Sequence, residues 1–192
     1  MEQTIEYFNC GENKFTTKSE EDIFLKNCSE YFKINCRKNP GKISEKSVME
    51  KIKKYGRECI CKKISCDWLK NKKYIIPDCI TDYFIIEVKT LRYFNSMGKI
   101  GNQGTAPEKI DSVFRKYCGI REKYNKTVLV VICADMQNNS DVRMYLDAYE
   151  KGEFNNNILV ETIYEKFKND IIFVRYQNLE KYIGINKQDN DK

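Results

Sequence analysis

The chain contains no histidine, and that absence closes several mechanisms at once. Ser-His-Asp and Cys-His catalysis, zinc hydrolases with imidazole ligands and nucleases with a histidine base all need a side chain that is not there. Both glycine-rich phosphate fingerprints, G-x-x-x-x-G-K-[ST] and G-x-G-x-x-G, are missing as well, so no nucleotide cofactor is expected. No apolar run is long enough to span a bilayer, no repeat of fixed period occurs, and no signal-peptide pattern is present. The chain is therefore expected to be intracellular and cytoplasmic, with no membrane partner.

What is present fits one domain. At 192 residues a core can form without covalent staples. The expected domain spans 1–185, and the Asn- and Lys-rich tail over 186–192 is expected to fray. Lys and Arg number 34 against 28 acidic residues, a net charge of +6. This mild excess permits a nucleic-acid partner if the basic residues cluster locally. Lys62, Lys63, Lys70, Lys72 and Lys73 form one such group, and Arg92, Lys99, Lys109, Arg115 and Lys116 another. The same residues also suit an ordinary solvated surface. Nine cysteines, an odd number with no signal peptide, read as a reduced chain. Cys59, Cys61, Cys66 and Cys79 lie close in sequence but lack the Cys-x-x-Cys knuckle of a zinc site, so they read as small buried residues.

The pattern predicts a helix over 18–32, a break at Asn39-Pro40-Gly41, and a second helix over 44–55. Ser44 is its expected N-cap, Val48, Met49, Ile52 and Tyr55 its inward face, and Gly56 its stop. Three strands in a meander are expected over 58–65, 74–80 and 84–90. A helix over 105–117 follows, then a strand over 127–134 that is apolar on both sides and hence central. Helices over 141–151 and 158–167 and a strand over 171–176 complete the chain. The order implies an α/β domain with a mixed β-sheet flanked by helices, helix 105–117 being the crossover.

Two carboxylates and a lysine sit within strand-forming sequence in Pro77-Asp78-Cys79-Ile80-Thr81-Asp82-Tyr83-Phe84-Ile85-Ile86-Glu87-Val88-Lys89. A period of two puts Glu87 and Lys89 on one face, read here as the solvent face, and Val88 on the core side. A two-residue reversal at Asp82-Tyr83 would set Asp78 directly across from Glu87, with Cβ atoms about 5 Å apart. Two like charges so placed repel, and a divalent cation between them removes the repulsion. Oxygen ligands of this kind favour Mg²⁺, with Mn²⁺ as a substitute, over zinc.

Pro77-Asp78 followed by Glu87-Val88-Lys89 resembles the active site of the PD-(D/E)xK nuclease superfamily. The run Gly104-Thr105-Ala106-Pro107-Glu108-Lys109-Ile110 resembles the restriction endonucleases of that superfamily. The resemblance covers about 44–135 and implies a restriction-endonuclease-like core around a catalytic centre. It implies Asp78 and Glu87 as ligands of Mg²⁺, the Val88 carbonyl as a further ligand, and Lys89 as the residue that orients the attacking water. In the superfamily a glutamate from the helix before the sheet joins the metal site, which makes Glu45 the candidate, with Glu50 and Glu20 behind it. The implied activity is endonucleolytic hydrolysis of double-stranded DNA, sequence-specific in the type II manner, with a homodimer on a palindromic target. A structure-directed repair or recombination nuclease and an inactive nucleic-acid-binding module are the alternatives.

The segment 101–110 has two readings. Thr105 as N-cap, Pro107 in the first turn and Glu108 three residues after the cap explain it as a helix start. A glycine-rich approach to a helix N-terminus also suits a phosphate, which makes Gln103, Thr105 and Lys109 candidate DNA contacts. Polar loops over 92–103 and 137–143 are candidates for reading bases.

Overall fold

A strand that is apolar on both faces is stable only where both faces are covered, and Thr127–Ala134 occupies that place. In the computed structural model, which describes residues 40–91, 106–134, 140–153 and 164–184, the order begins with α1 (Pro40–Lys54), β1 (Ile64–Ser65), β2 (Tyr74–Ile75), β3 (Cys79–Ile80) and β4 (Phe84–Leu91). It continues with α2 (Ala106–Tyr117), α3 (Ile120–Tyr124), β5 (Thr127–Ala134), α4 (Ser140–Lys151), β6 (Ile171–Arg175) and α5 (Glu180–Ile183). The main sheet has the order β3-β4-β5-β6, with β3 antiparallel to β4 and the other neighbours parallel. Each parallel step needs a crossover, supplied by α2 with α3 and then by α4. The molecule is thus a mixed α/β fold with a mixed sheet flanked by helices, as the element pattern implies.

Alternation along the strands sorts the interior into two layers. Ile85 and Leu91 of β4 and Val128, Val130 and Ile132 of β5 pack with Ile110, Val113, Phe114 and Tyr117 of α2. Those α2 positions recur at helical spacing, so α2 lays one continuous stripe on the sheet. Ile86 and Val88 of β4 and Leu129, Val131 and Cys133 of β5 face the other way, onto Val48 and Ile52 of α1 and Leu179 and Ile183 near the C-terminal end.

Helix α1 starts earlier than the expected bounds. Pro40 is its first residue, a position where the missing N–H is harmless and φ is already helical. Ser44 is consequently no N-cap: it is fully buried inside the helix, where its Oγ accepts a hydrogen bond from Thr90 Oγ1 at 2.7 Å. The stop at Gly56 holds, with φ at +70°. The Gly56 N–H bonds the Lys53 carbonyl at 2.9 Å and the Arg57 N–H the Ile52 carbonyl at 3.4 Å, which closes the last turn in a left-handed cap. Tyr55 does not face inward; it is 42% exposed and donates to Glu180 at 2.9 Å.

The expected meander is also different. Only Ile64–Ser65 and Tyr74–Ile75 pair, as a separate two-stranded ribbon, and Ile60 meets Ile80 in a single bridge. Pro77 cannot donate to a ladder, so the expected strand over 74–80 divides into β2 and β3. The Ile60–Ile80 bridge brings the Cys59-x-Cys61 segment beside β3, and Cys59 is disulfide-bonded to Cys79 with their Cα atoms 5.7 Å apart. The reading of every cysteine as a free thiol therefore fails for this pair. Cys66 lies apart, donating to the Lys72 carbonyl at 3.1 Å.

Strand β5 and helix α2 lie where the pattern puts them, and α4 begins one residue before its expected start at 141. Strand β6 ends at Arg175, because Tyr176 opens a 3-10 turn. Of the helix expected over 158–167, residues 164–167 are helical and the rest lie outside the described residues. The helix over 18–32, Glu20, Gln103, Thr105, the 92–103 loop and the 186–192 tail lie outside them too. Among the described residues no helix is long and apolar enough to cross a membrane.

Candidate active site

The β3–β4 hairpin reverses at Asp82-Tyr83. Cys79 pairs with Ile86 and Ile80 with Ile85, and the same register sets Asp78 opposite Glu87. The Thr81 N–H bonds the Phe84 carbonyl at 2.9 Å, so hydrogen-bonded pairs fall at 81/84 and 79/86. Asp78 and Glu87 then form a non-hydrogen-bonded pair, the kind whose Cα atoms approach to about 4.5 Å and whose side chains lie closest. The turn chemistry is local: Thr81 Oγ1 accepts the Phe84 N–H at 3.1 Å and its hydroxyl donates to the Phe84 carbonyl at 3.3 Å.

One step further along the hairpin Pro77 faces Val88. Proline has no N–H, so β3 offers no donor to the Val88 carbonyl, and the Val88 N–H donates to Asp78 Oδ2 at 2.6 Å. The Pro-Asp pair has a physical sense here. Pro77 ends the ladder and leaves the Val88 carbonyl without a donor from β3, while Asp78 holds the Val88 N–H.

Glu87 does not face solvent. It is 4% exposed, and no other charged residue is so buried among the described residues. The reason is tertiary: α2 covers the face of β4 that carries Glu87. Its Oε1 accepts Lys89 Nζ at 2.6 Å, and its Oε2 accepts Lys116 Nζ at 2.7 Å and the Tyr117 hydroxyl. Burial would push this carboxyl up, but Lys89 and Lys116 outweigh it and hold Glu87 below the usual range. Burial, and then the charge of Glu87, push the Tyr117 hydroxyl far up, so it stays protonated and donates.

Asp78 responds in the opposite sense. Burial first, then the Glu87 carboxylate, push it up to about 6 against the pull of the Val88 N–H, and Glu45 adds to the rise. The two carboxylates thus separate, Glu87 held charged by its two lysines and Asp78 raised by burial and by the charge of Glu87.

Glu45 lies in the second turn of α1, since the helix begins at Pro40 and has no acidic residue in its first turn. A helix-dipole role therefore does not explain it, whereas it is near enough to Asp78 to act on its charge. Glu50 is engaged elsewhere, 3.8 Å from Lys46. Lys109 Nζ donates to the Thr90 carbonyl at 3.2 Å, which sets its ammonium beside the end of β4, one residue past Lys89.

Sequence reasoning missed Tyr117 and counted Lys116 only among general basic residues. The apolar spacing of 110, 113, 114 and 117 marks Tyr117 as inward. Nothing in that spacing says that the end of α2 returns over Glu87.

Among the described residues no cluster of three His, Cys, Asp or Glu side chains is placed to cage a metal. The hairpin offers a mixed set instead, two carboxylates and the Val88 carbonyl. These are hard oxygens suited to Mg²⁺ or Mn²⁺, cations that keep several waters. Asp78 is raised to about 6 by burial first and by the Glu87 and Glu45 charges after it, with Lys116 pulling the other way, and a cation at this carboxylate would offset those charges. The donor set therefore fits. In comparisons with known proteins, no family model, no curated protein and no solved structure matches this chain.

Proposed function

We propose that this chain is a Mg²⁺-dependent DNA endonuclease with a restriction-endonuclease-like core, which hydrolyses phosphodiester bonds of duplex DNA in a sequence-specific manner. One observation carries the reading: Asp78 lies opposite Glu87 across a two-residue hairpin, with Lys89 Nζ 2.6 Å from the Glu87 carboxylate. A helix against the sheet, an antiparallel hairpin and a parallel crossover to β5 make a mixed α/β arrangement, which is compatible with such a core.

Asp78, Glu87 and the Val88 carbonyl would hold the cation. When bound, Mg²⁺ supplies a Lewis acid that offsets phosphate charge and lowers the pKa of water. The residues of the chain do the rest. Lys89, anchored on Glu87, orients the attacking water and stabilises the charge that builds on the phosphoryl oxygens as the 3′ oxygen leaves. Glu45 adds negative charge at the Asp78 side of the site. Lys109, with Gln103 and Thr105, is placed in this reading against the DNA backbone. The exposed lysines at 62, 63, 70, 72 and 73 surround the ribbon that leads into Pro77-Asp78 and supply further phosphate contacts. A palindromic target would be cut by a homodimer, one active site per strand.

The test is digestion of long unmethylated duplex DNA by wild type and Lys89→Ala, with and without Mg²⁺. Discrete fragments that require both Mg²⁺ and Lys89, with DNA binding retained in the variant, are expected. A smear would replace sequence-specific by structure-directed or non-specific cleavage. Intact DNA with Mg²⁺-independent binding would make the chain a binding module and overturn the proposal.

A further inference from the structure

We infer that Lys116 is the resident counter-ion of Glu87, a positioning residue that occupies the cation's side of this carboxylate and gives it up when a divalent cation binds. The inference rests on the reading of Asp78 and Glu87 as a metal-holding pair.

A carboxylate has about four lone-pair positions, and Glu87 has three engaged, one by Lys89, one by Lys116 and one by Tyr117. Both positions on Oε2 are taken. A cation that reaches this oxygen has to displace a donor. Tyr117 cannot leave, since it is 1% exposed and locked in the layer between α2 and the sheet. Lys89 projects from the same strand face two residues along, and its side chain is 19% exposed. The Lys116 side chain is 28% exposed and stands at the end of a helix. It is the most exposed of the three donors.

Its anchorage fits that role. The Lys116 carbonyl accepts the Trp68 indole N–H at 3.1 Å, which fixes the base of the side chain independently of what its ammonium bonds. The same Nζ donates to the Ile76 carbonyl at 3.0 Å. Lys116 therefore ties Glu87 to the residue that precedes Pro77-Asp78 and sets the spacing of the two carboxylates. On release, a tethered ammonium remains at the site, within reach of a phosphate that arrives with the cation.

This role predicts two effects of opposite sign. Lys116→Met removes the competitor and should tighten cation binding, while the loss of the tie to Ile76 should slow turnover. A purely structural lysine would weaken both. The experiment is calorimetric titration of DNA-free protein with Mg²⁺ and with Mn²⁺ near pH 8, for wild type, Lys116→Met and Lys116→Arg, with circular dichroism to establish folding. Lys116→Met should bind about tenfold more tightly, the equivalent of one charge-assisted hydrogen bond. Lys116→Arg should stay near wild type. Equal or weaker binding by folded Lys116→Met overturns the inference and leaves the metal pair standing. No cation binding by wild type overturns the metal pair itself, and the inference with it. If Lys116→Met does not fold, the wild type still decides: its Lys116 ε-methylene NMR signal, assigned through Lys116→Arg, should move towards that of free lysine as Mg²⁺ is added. An unmoved signal overturns the exchange.

Discussion

Replacing Asp78 with asparagine separates the cation-holding role proposed for this carboxylate from what it does to the fold. In the folded chain Asp78 is pushed from 3.8 up to about 6, by burial and then by Glu87. Between those two values the folded state holds a proton that the unfolded chain has released, so stability falls as pH rises through the window and levels off above it. Taken whole, the shift corresponds to at most about 3 kcal/mol. Asp78 is only partly buried, and solvent screening brings this to about 1–2 kcal/mol. Asparagine carries no charge yet keeps an oxygen for the Val88 N–H, which Asp78 accepts at 2.6 Å. Asp78→Asn should therefore be more stable than wild type by about 1–2 kcal/mol near pH 8, a rise in Tm of about 3–6 °C for a chain of this size. The gain should shrink as pH falls through 6 and vanish below 3.8. Thermal unfolding followed by circular dichroism, in chelator, across this range measures it. Saturating Mg²⁺ should then reverse the order, since a cation at a hundredfold over its Kd stabilises wild type by about 2.7 kcal/mol and the variant far less. A variant less stable than wild type in chelator near pH 8, or a gain with no pH dependence, would refute the cost that burial and the Glu87 charge place on the Asp78 carboxylate.

Glu87→Ala should move stability the other way, because it leaves the buried Tyr117 hydroxyl without its partner and two ammonium groups facing each other. A loss of about 2–4 kcal/mol in urea unfolding is expected, and a loss under about 1 kcal/mol would deny the network a structural role. At Gly119 an added Cβ would come within 2.5 Å of the Trp68 ring. Gly119→Ala should displace the indole from the Lys116 carbonyl and destabilise by about 1–3 kcal/mol; an unchanged Tm would show that Trp68 yields at no expense.

The parts of the fold that short-range pattern controls were legible. The Asp82-Tyr83 reversal, the β5 segment and the stripe of α2 follow from alternation, helical spacing and turn length, and each lies where those rules put it. The juxtaposition of Asp78 and Glu87 was legible for the same reason, since a two-residue hairpin fixes register. The environment of that pair was not. Alternation puts Glu87 and Lys89 on one face of β4, but only the crossover decides that α2 lies over it, and Glu87 is buried as a result. Ser44 misleads in a similar way. It carries a strong capping signal, yet Pro40 can open the helix a turn earlier and Thr90 supplies the buried hydroxyl with a partner. The Cys59–Cys79 pairing depends on one bridge between Ile60 and Ile80, a long-range contact without a sequence period.

Trp68 is the chain's single tryptophan, and its indole N–H bonds the main chain at the foot of the Lys116 side chain. All tryptophan emission from this protein therefore originates at one corner of the site, with no background from elsewhere in the fold. Excited at the red edge of indole absorption, where the tyrosines are silent, the unlabelled protein is its own optical probe. Under the proposed function, binding of a cation or of DNA should change this emission, and a stopped-flow cell would give its rate.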